Sequence, residues 1–251
     1  MSSLLRHPRR LAATNPGLHI TLDDALLRAR ARPCPGVAGM ASVVVLDATT
    51  GATVEHYDRW RRQLGLLGFT HLRTGALSPR HAVPAEEAGL QCVQRLALLE
   101  LSPPRPSRPT RTTTALNAGH LRTASLIDQA AFGLRWWLDD TMLSDVCQAT
   151  PRFRARLIDG RGSGLPGGFL ISGRAGRTGY IQRLAVHPDE HRNGLGSALL
   201  VDSLRWMQRN RVRRVFVNTH VDNEPALALY RAHGFVELRD ELAVFEGVIP
   251  R

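Results

Sequence analysis

Val186-His187-Pro188-Asp189-Glu190-His191-Arg192-Asn193-Gly194-Leu195-Gly196-Ser197 carries the chain from one kind of structure into another. Before it, Tyr180-Ile181-Gln182-Arg183-Leu184-Ala185-Val186 reads as a strand that ends at His187-Pro188. After it, Leu195, Leu199, Leu200, Leu204 and Met207 recur on one stripe at helical spacing. A strand that enters a glycine turn and opens a helix leaves successive N–H groups without partners. The helix dipole adds partial positive charge at the same place. Such a turn is a cradle for a pyrophosphate. Gly194 and Gly196 lack Cβ atoms, which predicts close approach of phosphate oxygens to the backbone. The plain alternative is a tight turn with no ligand.

Working outward, Val212, Val215, Phe216 and Val217 predict the next strand. Asp222 or Asn223 caps a further helix, with Pro225 near its first turn and Gly234 as its stop. Residues 235–238 and 242–245 read as strands, as do residues 169–171 upstream, and residues 126–134 read as a helix. Residues 112–251 therefore predict a mixed α/β domain.

The capped helix supplies the second motif. Asn223-Glu224-Pro225-Ala226-Leu227-Ala228-Leu229-Tyr230-Arg231-Ala232-His233-Gly234-Phe235 fits N-x-x-A-x-x-L-Y-x-x-x-G-F and begins 29 residues after Gly194. With the glycine loop before it, this stretch resembles the GNAT superfamily of acyl-CoA-dependent N-acetyltransferases. The resemblance implies the GNAT fold, acetyl-CoA as co-substrate and an amine as acceptor. It implies that the amides of Arg192, Asn193, Gly194, Leu195, Gly196 and Ser197 hold the CoA pyrophosphate. Leu184 and Val186 would pair with the pantetheine arm through main-chain groups, and Asn223 would hydrogen-bond the same arm. Tyr230 would stand by the thioester sulfur, where a phenol can protonate the departing thiolate. A backbone N–H of the splayed strand would polarise the thioester carbonyl.

Two positions depart from the family pattern. His191 stands where Gln or Arg is usual, with Arg192 following at once. The strand before the loop reads Gln182-Arg183, without the carboxylate that many members use as a base. Asp222 or His220 acting through water, or an acceptor that arrives neutral, are the routes left open. Arg183 then reads as a clamp for a substrate carboxylate or as a solvated surface charge. Trp136 and Trp137 lie where the family's acceptor site is lined, with core packing as the alternative. His187 and His191 flank two acids, but Pro188 breaks the helix that an H-E-x-x-H metal site requires, so no metal is expected.

Upstream the signals are weaker. Residues 1–36, rich in Arg and Pro, read as a flexible arm in which Thr21 could cap a short helix. Ser102-Pro103-Pro104-Arg105-Pro106-Ser107-Arg108-Pro109 marks a linker over residues 102–111. Between them, residues 37–101 resemble a degenerate, truncated GNAT-like lobe. Gly89 and Glu100 echo Gly234 and Glu246, and Trp60 echoes Trp206. Aligning Gly89 with Gly234 sets Ala85 opposite Tyr230, so this lobe is expected to be catalytically silent. On the Trp spacing it lacks about one loop's worth of chain.

Composition bounds the rest. The 251 residues carry 33 basic and 22 acidic side chains, net +11, and every basic residue is Arg. Lysine Schiff-base chemistry is thereby excluded. Three scattered cysteines form no disulfide or zinc pattern, which favours a reducing cytoplasm. There is no apolar run long enough for a membrane span and no apolar core typical of a secretory signal. The expected partners are acyl-CoA and an unidentified amine, with a monomer or homodimer as the assembly. The competing reading is a non-catalytic nucleic-acid- or protein-binding module, built on the charge and on Arg209-Asn210-Arg211-Val212-Arg213-Arg214. Aromatic residues are only 6% and no nucleic-acid motif appears, so nucleic acid is not an expected partner.

Overall fold

The computed structural model describes residues 18–23, 27–46, 51–161 and 165–250. The chain divides into two units. Unit one comprises residues 1–96 with 240–251, and unit two comprises residues 97–239.

Unit one carries strands β1 (Ile20–Thr21), β2 (Ala29–Pro33), β3 (Met40–Val45) and β4 (His71–Thr74), with helix α1 (Val54–Leu66) between the last two. Helix α2 (Pro79–Glu87) leads into β5 (Gln91–Leu101), whose residues from Ala97 onward belong to unit two. The pair β3–β4 is parallel and the other pairs are antiparallel. Tyr57, Trp60 and Leu64 recur on one face of α1 and bury against Leu72, Phe69 and Phe245. Trp60 meets Tyr57 edge-on at 5.2 Å, and its indole N–H donates to the Leu22 carbonyl at 3.4 Å.

Unit two begins with the end of β5 and continues through β6 (Thr114–Ala115), α3 (Leu121–Trp136), α4 (Asp140–Gln148), β7 (Arg152–Asp159), β8 (Pro166–Ala175) and β9 (Thr178–Val186). Then come α5 (Leu195–Arg209), β10 (Arg214–His220), α6 (Glu224–Ala232) and β11 (Val236–Glu237). The strands β7, β8 and β9 are antiparallel neighbours, and β10 runs parallel to β9. One core cluster joins Ile127, Leu143, Ala155, Phe169 and Ile171, which packs α3 and α4 on the sheet. A second joins Leu199, Leu204, Met207, Leu170, Val215 and Leu227, which packs α5 and α6. Every residue of the predicted α5 stripe is buried.

Three expectations need correction. Residues 20–21 and 29–33 are strands rather than arm, and Thr21 sits in β1. The rest of its predicted helix falls partly on residues 24–26, outside the described ones, as do residues 1–17. The last strand, β12 (Leu242–Val248), packs in unit one between β4 and the start of β5, so it is not part of the C-terminal unit. The reason is in the side chains. Phe245 fills the unit-one core, and Glu246 pairs with the buried Arg73 at 2.7 Å. Finally, the connection 46–53 is as long as the connection 187–194. The Trp spacing differs because Trp60 and Trp206 stand at different depths in their helices, so Trp60 is not the counterpart of Trp206.

The glycine alignment fares differently. Gly89 (φ 75°) and Gly234 (φ 85°) both end a helix in the left-handed region. Gly89 N–H donates to Glu86 and Leu90 N–H to Ala85. In the same way Gly234 N–H donates to Arg231 and Phe235 N–H to Tyr230. This is one helix-ending motif in two copies, with Ala85 and Tyr230 at the same place in each.

Replacing Trp60 by Ala should cost about 3–5 kcal/mol. Urea unfolding followed by circular dichroism reads the loss, and a change below about 1 kcal/mol would contradict the packing described.

Candidate active site

The strands β9 and β10 pair over only three registers, Thr178–Arg214, Gly179–Val215 and Tyr180–Phe216. Past Tyr180, β9 runs on to Val186 and β10 to His220 with no ladder between them. The gap opens at a bulge. The β8 register jumps from Ile171–Arg183 to Ser172–Ile181, which leaves Gln182 as the extra residue. A bulge increases local twist and re-aims the peptide groups beyond it. His187 N–H donates back to the Gly167 carbonyl. By alternation along the strand, Leu184 and Val186 turn their peptide groups to the open edge. The Val186 carbonyl is met there by the His191 ring at 3.2 Å. Among the described residues, its N–H and both peptide groups of Leu184 have no partner and are left to the gap.

At the end of β9 stands the glycine loop. Arg192 and Gly194 have φ of 59° and 75°, and the first helical bond of α5 is Ala198 N–H to the Gly194 carbonyl. Among the described residues, the amides of residues 192–197 donate to no group. They form a run of free donors at a helix N-terminus. The two glycines differ in purpose. A Cβ on Gly194 would meet nothing within 4 Å, so glycine is there for its left-handed φ. A Cβ on Gly196 would come within 3.3 Å of Leu229 and 3.7 Å of Val186, so this glycine lets α5 close on α6 and β9.

Side chains brace the loop. Glu190 accepts from Arg161 N–H at 2.9 Å and from the Asn193 carboxamide at 3.1 Å, and lies against Gly160 and Gly167. The Arg161 amide, with the Asn193 bond, holds its carboxyl below the usual range. The Ser197 hydroxyl and the His233 ring lie 2.8 Å apart, and burial lowers the His233 pKa.

Beside the gap, Asn223 caps α6. It accepts from Ala226 N–H at 3.3 Å and donates to the Thr219 hydroxyl at 3.1 Å, which leaves one amide hydrogen for a ligand. Tyr230 is buried and tilted against Phe235 at 5.6 Å. Its hydroxyl donates to no group among the described residues. Burial raises the phenol well above its ordinary pKa, and the Arg183 charge opposes that rise.

Arg183 itself is not a free clamp. Its guanidinium binds the fully buried Asp128 through two bonds of 2.6 and 2.7 Å, donates to the Trp136 carbonyl at 2.9 Å and covers the Phe132 ring at 3.6 Å. With those donors spent inside the fold, the substrate-clamp reading is corrected. Asp128 also accepts from Leu138 N–H at 2.7 Å, so it staples the segment that follows the break in α3 at Gly133. Trp136 and Trp137 stand half-buried on that segment. The sequence did carry a sign of Asp128, since it shares a helical stripe with Ala124, Ile127 and Ala131. Glu190 and His233 gave none, because each finds its partner only in the folded chain.

This arrangement has counterparts in known proteins. Residues 135–235 match the acetyltransferase (GNAT) family model. This part of the chain belongs to the GNAT family. N-alpha-acetyltransferase 60 of Drosophila melanogaster is 38% identical over 66 residues, covering 25% of this chain and 24% of that protein. Mycothiol acetyltransferase of Saccharomonospora viridis is 32% identical over 69 residues, covering 28% and 22%. The matched stretches thus span about a quarter of these curated relatives. A solved tandem GNAT protein from the clavulanic acid biosynthesis pathway superposes with a TM-score of 0.62 at 16% identity, covering 90% of this chain and 79% of that one. The GNAT fold therefore extends to both units. Among the described residues, no helix is long and apolar enough to cross a membrane.

Replacing Asp128 by Ala should cost about 3–5 kcal/mol, because Arg183 is left charged in the interior. The double replacement Asp128→Ala with Arg183→Met should recover most of that loss in urea unfolding. Losses that simply add would contradict the pairing.

Proposed function

We propose that unit two moves an acetyl group from acetyl-CoA to a primary amine, on a small molecule or a protein N-terminus. The observation that carries this reading is the gap between β9 and β10, with free amides at its head and the Tyr230 phenol inside. The residues present fit the co-substrate. The amides of Arg192, Asn193, Gly194, Leu195, Gly196 and Ser197 suit a pyrophosphate. The edges of Leu184 and Val186 suit an amide-bearing arm, and the spare hydrogen of Asn223 reaches toward the same arm. The two curated relatives are both named as acetyltransferases, and their acceptors differ.

In this reading the amine lone pair attacks the thioester carbonyl, whose developing charge meets a peptide N–H on the open edge of β9. The carbon–sulfur bond breaks, and the Tyr230 phenol gives its proton to the departing thiolate. The phenolate left in a buried site is a strong base and takes back the proton shed by the new amide. Arg183, held by Asp128, keeps a positive charge near that phenolate.

No carboxylate stands on β9. His220 accepts from Asp222 N–H through Nδ1, a tautomer whose Nε2 carries the hydrogen and has no lone pair for base work. We take the acceptor to arrive neutral, Asp222 acting through water being the other route. Unit one, with Ala85 at the Tyr230 position, supports no transfer of its own. The free cysteines Cys34, Cys92 and Cys147 suit a reducing cytoplasm.

Tyr230→Phe should lower kcat about a hundredfold while leaving the acetyl-CoA Kd within about twofold. Stopped-flow thiol release and calorimetry read the two quantities, and unchanged kcat would remove Tyr230 from the mechanism. With limiting acceptor, the rate should rise about tenfold per pH unit up to the acceptor's own pKa. No falling limb should appear below about pH 10, the ordinary pKa of a tyrosine. A break at one fixed pH for acceptors of different basicity would place a base on the protein instead.

A further inference from the structure

One end of the unit-two sheet is left open by the acetyl-transfer reading. Phe153 on β7 stands opposite Gly173 on β8, Gly173 opposite Tyr180 on β9, and Tyr180 opposite Phe216 on β10. Directly paired residues share a face, so three rings lie in one row across four strands. Phe153 is 49% exposed and Tyr180 37%. Tyr180 and Phe216 stack at 6.3 Å, with planes 28° apart. The space over Gly173 is taken by Thr150 and Gln182, which set a polar group between Phe153 and Tyr180.

Arginines rim this row. Arg152 and Arg174 are direct cross-strand partners, a placement that like charges disfavour, but as strand neighbours of Phe153 and Gly173 they turn to the other face of the sheet. Arg213 N–H donates to the Arg177 carbonyl at 2.8 Å, which sets the end of α5, with Arg209, and the segment after it, with Arg211, beside the β8–β9 turn. Among the described residues none of these six arginines forms an ion pair. Glu100 is already committed to Arg214, which lies over the Phe216 ring at 4.9 Å. Unneutralised cations beside open rings match the alternation of phosphate and base in an unpaired strand. A duplex hides its base faces, and an acidic peptide would use the charge but not the rings.

We propose that this surface binds single-stranded nucleic acid, with bases stacked on Phe153 and Tyr180 and phosphates held by Arg177 and Arg213 at the end of the sheet. Sequence alone gave no such motif because the parts come from separate segments that only the sheet brings together. The proposal does not rest on acetyl transfer.

Fluorescence anisotropy of the full chain with a dye-labelled oligouridine of about a dozen nucleotides tests it. Micromolar binding should weaken about fiftyfold between about 50 and 200 mM salt if about four phosphates are held. Phe153→Ala should weaken binding about tenfold, and Phe153→Tyr should restore it. Arg177→Ala and Arg213→Ala should each lower the salt slope by about one. A duplex of equal length should bind at least about tenfold more weakly. Absence of binding, equal affinity for duplex or polyglutamate, or an unchanged Phe153→Ala variant with native circular dichroism would overturn the proposal.

Discussion

Peptide groups along an unpaired strand edge demand partners, and the six-residue run of β9 past Tyr180 has none from β10. Water can satisfy them, and so can an extended ligand bearing amides of its own. The surrounding structure keeps that edge open. The Gln182 bulge turns the strand away from β10, while β8 holds its other side as far as Val186. The glycine loop tops the gap, and α6 places a phenol in it. A closed ladder at this place would fill the gap on which the loop amides and Tyr230 open.

Charge inside the fold serves the same end. The Asp128–Arg183 pair is costly to bury. It holds because two short bonds, a backbone carbonyl and an aromatic face satisfy the guanidinium. The pair ties the segment carrying Trp136 and Trp137 to β9 and fixes the Arg183 guanidinium, whose charge opposes the rise of the Tyr230 pKa. A residue that would look like a substrate clamp in isolation is tied into the fold.

The two units show how far one pattern can be kept while its chemistry changes. Each runs through a parallel strand pair bridged by a helix, then a second helix ended by a left-handed glycine. Where one places Tyr230, the other places Ala85. The α5 stripe, the α6 cap and the glycine stop were legible in the sequence because they depend on residues within one or two helical turns. The Gly196 contact with Leu229, the Asp128–Arg183 pair and the placement of β12 in unit one were not. Each is decided by a partner distant in the chain, over 170 positions for Glu246 and Arg73. Trp spacing misled for the same reason, since burial of Trp60 is set by its unit's core rather than by the repeat.

Amide hydrogen exchange with and without acetyl-CoA addresses the open edge itself. The account predicts that saturating acetyl-CoA slows exchange at Leu184, Val186 and the amides of residues 192–197, with little change across β7. Unaltered exchange at those amides, despite binding seen by calorimetry, would contradict it.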